Sequence, residues 1–150
     1  MKSSLATRRL QKDFKKIIDN PSPYYVASPV DNDLFFWRAT INGPLGTIWE
    51  GGKFNLELTF GETFPHEPPE VKFTSEMYHP NIYDDGSICL DILQNEWSPI
   101  LDIAAVLTSI QSLLNDPNPA SPANYQAGQL YMNDPEEYEK RVKEIVRLNK

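Results

Sequence analysis

Cys89 is the only cysteine in the chain, and it follows a His79-Pro80-Asn81 triplet at a distance of eight residues. A thiolate can accept an acyl group as a thioester, and a side-chain amide can donate to the oxyanion that forms when the acyl group moves on. Asn81 supplies such an amide. Asp84-Asp85-Gly86 between the two is a turn signal, so the chain after it can fold back and carry Cys89 toward Asn81. His79 invites assignment as a base for the thiol. Ahead of Pro80, however, it reads better as a structural histidine that bonds the loop backbone. Residue types alone leave two plainer readings open. A lone cysteine can be a small buried core residue, and Asn81 can simply bond backbone in a turn.

These residues need a scaffold, and the flanking sequence describes one. Residues 4 to 19 carry Leu10, Phe14, Ile17 and Ile18 at helical spacing, and Asn20-Pro21-Ser22-Pro23 stops the pattern. Four strands are expected next: Tyr24-Tyr25-Val26, then Phe35 to Ile41, then Lys53 to Phe60, then Val71-Lys72-Phe73. The third alternates cleanly, with Phe54, Leu56, Leu58 and Phe60 on one face. Short turn-rich links imply an antiparallel meander. Phe64-Pro65-His66-Glu67-Pro68-Pro69 is too rich in proline for a sheet interior. Residues 75 to 101 show little periodicity and hold the unusual residues, the pattern of a functional loop. A helix over 102–114 presents Ile103, Val106, Leu107, Ile110, Leu113 and Leu114, with Asp102 as its cap. A third helix is expected near Ser121-Pro122. A fourth follows Asp134-Pro135-Glu136-Glu137, with Tyr138, Val142, Ile145 and Val146 inward. The reading is an α+β domain over 1–150: N-terminal helix, four-stranded antiparallel meander, irregular active-site loop and three C-terminal helices, with no tail extension.

Bulk properties narrow the function. At 150 residues the chain has the size of one globular domain, with 40% apolar and 23% charged residues. No apolar run reaches membrane-spanning length, and the first residues lack the apolar stretch of a signal peptide. One cysteine cannot form an internal disulfide, and one Cys with two His cannot readily supply a structural zinc site. Cytoplasm and nucleus are the expected locations. The net charge of −7 is uneven. Lys2, Arg8, Arg9, Lys12, Lys15 and Lys16 face a single acid, Asp13, in the first sixteen residues, giving +5, and the remainder carries −12. A basic segment on an acidic body suggests an acidic protein partner rather than nucleic acid. No phosphate loop, metal cluster or nucleotide fingerprint is present.

Several motifs together resemble one family. Tyr78-His79-Pro80-Asn81-Ile82, Cys89-Leu90-Asp91-Ile92-Leu93 and Trp97-Ser98-Pro99 look like the core of the ubiquitin-conjugating enzymes. Phe64-Pro65 with Pro68-Pro69 upstream, and Ser109 to Pro119 downstream, match as well. The resemblance covers essentially the whole chain. Within the family, Ser75-Glu76-Met77, Asp91 to Asn95 and Pro119 to Asn124 look like the branch associated with DNA repair and histone ubiquitylation. Arg8-Arg9-Leu10 with Asp13-Phe14-Lys15 points the same way.

The resemblance implies that Cys89 receives ubiquitin as a thioester from an activating enzyme and passes it to a protein substrate's lysine, usually with a ubiquitin ligase. It implies that Asn81 stabilises the oxyanion, and that Ser121 stands at a gate position often held by aspartate. Ser121 can alternatively be a plain helix cap. His79, Asp91 and Trp97 are expected to support the site. Pro65, His66, Ser98 and Pro99 match the ligase-docking loops, whose proline rigidity lowers the entropy lost on binding. Arg8, Arg9, Lys12 and Lys16 match the activating-enzyme contact. No cofactor and no metal are expected in this chain, since the activating enzyme consumes the ATP; a monomer is the default.

Three other readings compete. A cysteine hydrolase would need a histidine base placed around the thiol, and neither His66 nor His79 sits in a protease-like signature. A non-catalytic ubiquitin-binding scaffold would lack the cysteine. A conjugating enzyme for another ubiquitin-like modifier of the SUMO type would carry a small insertion between Cys89 and Trp97, which is absent here.

Overall fold

The computed structural model describes residues 4–150. Lys2 of the basic segment lies outside the described residues. Along the chain come α1 (Ser4–Asp19), β1 (Tyr25–Val30), β2 (Asp33–Asn42), β3 (Lys53–Thr59), β4 (Glu70–Phe73), α2 (Ile103–Asn115), α3 (Tyr125–Asn133) and α4 (Pro135–Leu148). A short 3₁₀ turn, Asp91–Leu93, lies between β4 and α2. The α+β order read from the sequence is the one observed.

The four strands form one antiparallel sheet in the order β1-β2-β3-β4. Period-two patterning decides its faces. Phe35, Trp37, Ala39 and Ile41 of β2 are buried, as are Phe54, Leu56 and Leu58 of β3 and Val71 and Phe73 of β4. Phe60 lies one residue past β3, keeps the same facing, and donates its N–H to the Phe35 carbonyl. Helix α2 packs its stripe of Ile103, Val106, Leu107, Ile110, Leu113 and Leu114 into the same core. Each such side chain contributes about 1.5–3 kcal/mol by leaving water. Asp102 caps α2 by accepting from the Ala105 N–H at 2.8 Å, as expected. Asp134 caps α4 the same way through the Glu137 N–H, with Pro135 in the first turn.

Three expectations need correction. Ile18 is 60% exposed; the inward stripe of α1 is Ala6, Leu10, Asp13, Phe14 and Ile17, and the further turn of about 100° from Ile17 carries Ile18 past the edge of that stripe into solvent. The first strand starts at Tyr25 and runs on to Val30, through Pro29. Proline is tolerated because β1 is an edge strand with a register shift at Pro29/Val30. Asp31 and Asn32 then take positive φ of 51° and 62°, the two-residue hairpin turn that these residue types accept. Finally, α3 begins at Tyr125 with Asn124 as its cap, not near Ser121-Pro122. The N–H groups of Ala123 and Asn124 both donate to the Pro80 carbonyl, which holds the preceding residues as a loop.

Candidate active site

The turn signal at Asp84-Asp85-Gly86 does what its residues allow. Gly86 donates to the Tyr83 carbonyl at 2.9 Å, Tyr83 donates to the Ser87 carbonyl at 2.9 Å, and the Asp85 carboxylate accepts from the Ser87 N–H. That last bond holds the exposed Asp85 carboxyl below its ordinary range, with Lys72 assisting. Gly86 has φ +89°, where a side chain would be strained, and a Cβ there would stand 2.0 Å from the Phe73 carbonyl oxygen. Its own carbonyl accepts from Phe73, and Ser87 bridges to Lys72, so the turn is stitched to β4. The returning segment pairs Ile88 with Ile82, and the Cys89 N–H donates to the Asn81 carbonyl at 2.8 Å. Cys89 is half-buried, and its thiol is in no disulfide.

His79 is fully buried. Its Nε2–H donates to the Leu113 carbonyl at 2.7 Å and its Nδ1 accepts from the Asn81 N–H at 2.9 Å. Both ring nitrogens are committed, so neither is available to take a proton from Cys89. Burial pushes its pKa down to about 4, against the pull of the Leu113 and Leu114 carbonyls. The imidazole is therefore a neutral strut between the triplet and the end of α2.

Asn81 is 1% exposed. Its amide NH2 donates to the carbonyls of Asn118 (2.8 Å) and Ser121 (3.3 Å), and its Oδ1 accepts from the Asn118 N–H (2.7 Å). The amide thus clamps the 118–121 loop beside the cysteine-bearing segment. Ser121 is exposed and meets Asn81 through its main chain. It does not cap α3; Asn124 does. An open cleft of 520 Å³ lies between the turn and Ala123, lined by Tyr83, Asp84, Asp85, Ser87 and Ala123.

The Asp91 carboxylate accepts from the Ile92 N–H, and its carbonyl accepts from Gln94 and Glu96, which organises the 3₁₀ turn. The Trp97 Nε1–H donates to the Pro65 carbonyl at 2.9 Å, and its ring lies tilted against Phe64. This joins the two proline-bearing loops. His66 and Pro99 are exposed and Ser98 is half-buried, whereas Pro65 is buried. Pro65 is the most enclosed of the four residues expected to meet a ligase, and its carbonyl holds Trp97. Ile100, which the sequence reading passed over, is 86% exposed beside Pro99. On α1, Arg8 and Lys12 are exposed and carry no ion pair among the described residues. Arg9 and Lys16 are spent differently. Arg9 pairs with Asp13, and Lys16 with Asp102 at 2.5 Å. Their charges are partly neutralised inside the molecule, which sets them apart from Arg8 and Lys12 among the residues expected to meet the activating enzyme.

Family comparison agrees with this geometry. The pattern described as "Ubiquitin-conjugating enzyme" matches residues 9–146. The chain belongs to the ubiquitin-conjugating enzyme family. It is 56% identical over 139 residues to "Ubiquitin-conjugating enzyme E2 1" of Caenorhabditis elegans, covering 93% of this chain and 72% of that one. It is 55% identical over 144 residues to "Ubiquitin-conjugating enzyme E2 2" of Fusarium solani, covering 96% and 95%. As a member of this family it is a ubiquitin transferase working through a cysteine thioester, and ubiquitin, an activating enzyme and a ligase are its general partners. The hydrolase and scaffold readings fall away.

Proposed function

We propose that Cys89 is the thioester carrier, and the observation that carries this is its placement. The chain's one thiol is half-buried, and the Cys89 N–H is bonded to the Asn81 carbonyl, which sets it beside the triplet. In the first step the Cys89 thiolate attacks the thioester carbonyl that joins ubiquitin to the activating enzyme, and the activating enzyme's thiolate leaves. In the second, a substrate lysine amine attacks the new thioester. The C–N bond forms, the C–S bond breaks, and the proton lost by the amine is matched by one gained at Cys89.

Asn81 serves this step in two ways. In the resting arrangement its amide holds the 118–121 loop; release of the 3.3 Å bond to Ser121 would free one N–H to meet the oxyanion. Ser121 borders the lysine's approach and lacks the carboxylate that would draw the amine in, so unassisted discharge to free lysine is slow. His79, Asp91 and Trp97 hold the frame. His66, Ser98, Pro99 and Ile100 form the ligase face, while Arg8 and Lys12 meet an acidic surface on the activating enzyme.

Ser75-Glu76-Met77, Asp91 to Asn95 and Pro119 to Asn124 support placing the chain with the DNA-repair and histone-ubiquitylating branch. The same reading assigns no cofactor, a monomer, and a place in cytoplasm and nucleus. The test is a charging assay with ubiquitin, activating enzyme and ATP, resolved on gels with and without reductant. A reductant-sensitive adduct absent from Cys89→Ala is the expected result. No adduct from folded wild-type protein, with a working control enzyme, would overturn it and direct the assay to other ubiquitin-like modifiers.

A further inference from the structure

Arg9 does not behave as a surface cation. Its side chain is 19% exposed, and its Nε–H donates to Asp13, which is itself buried. The two arms of its guanidinium reach a different part of the chain. One Nη donates to the Pro99 carbonyl at 2.5 Å and the other to the Leu101 carbonyl at 2.8 Å. The guanidinium carbon also lies 5.7 Å from the centre of the Phe64 ring. Asp13 completes the fixture, because its second oxygen accepts from the Ile103 N–H at the start of α2. Burial raises the Asp13 carboxyl above its ordinary range even with Arg9 beside it.

One planar group therefore ties down both loops of the ligase face. The 98–101 turn closes with the Leu101 N–H on the Ser98 carbonyl, and Arg9 grips it at residues 99 and 101 while Ile100 projects between them. The other loop is gripped through Phe64, with Trp97 bridging to Pro65. A rigid fork that also stacks on a ring is a geometry lysine cannot reproduce, because an ammonium is a single point on a flexible stem.

We propose that Arg9 is a positioning residue for ligase docking, acting through the shape of its guanidinium rather than as a charge presented to a partner. The inference rests on the reading that ligases dock on these two loops. Preorganised loops bind more tightly because less freedom is lost on association. Loosening them should raise the ligase concentration needed without changing the rate at saturation.

The test uses the full chain, charged to completion and quenched, then titrated with a ligase domain that accelerates discharge from the wild type. Arg9→Lys is expected to raise the half-saturating ligase concentration about tenfold, close to the effect of Arg9→Ala, with the saturated rate near wild type. Arg147→Lys, at the exposed end of α4 where the arginine pairs with Glu144, serves as the charge-conserving control and leaves both unchanged. Native-state hydrogen exchange should show the Leu101 amide exchanging faster in Arg9→Lys while Ile110 of α2 keeps its protection. A wild-type titration and wild-type Leu101 exchange in Arg9→Lys would overturn the proposal. Ile100→Ala separates the two claims. If it leaves the titration unchanged, the docking reading has failed; if it weakens the response while Arg9→Lys does not, the positioning role alone has failed.

Discussion

His79 and Asn81 together show how a motif that looks catalytic is first of all architectural. The histidine is held neutral in the fold, whereas in the unfolded chain it takes its proton near the ordinary value of 6.5. Its contribution to stability is therefore whole above pH 6.5 and is lost as pH falls from there toward 4, by about 3 kcal/mol in all. Chemical denaturation between pH 7 and pH 4 should show this slope, and His79→Gln should flatten it; an unchanged slope would contradict the assignment. Asn81→Ala removes the donors to Asn118 and Ser121 and the acceptor for the Asn118 N–H. The expected loss is about 1–3 kcal/mol of stability, with thioester formation retained and lysine discharge slowed. A denaturation midpoint equal to wild type would remove the clamp. The structural role of His79 was legible from the Pro80 that follows it, but the partners of the two side chains were not. The spacing of Asn81 and Cys89 suggested that they meet, but the partner of the Asn81 amide is 37 residues away at Asn118, and nothing local marks it.

At the scale of elements, the piece that matters most is the turn joining the triplet to the cysteine. Asp84-Asp85-Gly86 announces it in the sequence because only glycine sits easily at φ +89°. The sequence does not announce that the Gly86 position is also pressed against the Phe73 carbonyl. Gly86→Ala should therefore cost more than backbone strain alone, more than about 2 kcal/mol, and a urea midpoint near wild type would contradict the packing described. Elements with strong periodicity or caps were readable: β3 by its alternation, α2 by its stripe and Asp102, α4 by Asp134-Pro135. Those set by distant bonds were not. Helix α3 starts late because the Pro80 carbonyl holds residues 123 and 124, and β1 runs through Pro29 because it lies at the sheet edge, a position fixed only once the other strands pair.

Over the whole molecule, the charge asymmetry divides into two functions. Arg8 and Lys12 remain outward, while Arg9 and Lys16 join α1 to the start of α2 and, through Arg9, to the 99–101 backbone. Counting charges along the sequence detected the basic segment but could not separate these roles, since the separation depends on which side of α1 faces the core. The carrier chemistry is less distributed and rests on one atom, the Cys89 sulfur. The most direct measurement is charging of Cys89→Ser beside wild type, each adduct treated with thiol reductant and with mild alkali. The account predicts a wild-type adduct lost in reductant. It also predicts a Cys89→Ser adduct that survives reductant and is cleaved by alkali, as a serine ester must be. A wild-type adduct that resists both treatments would be an amide on lysine, and would contradict Cys89 as the carrier.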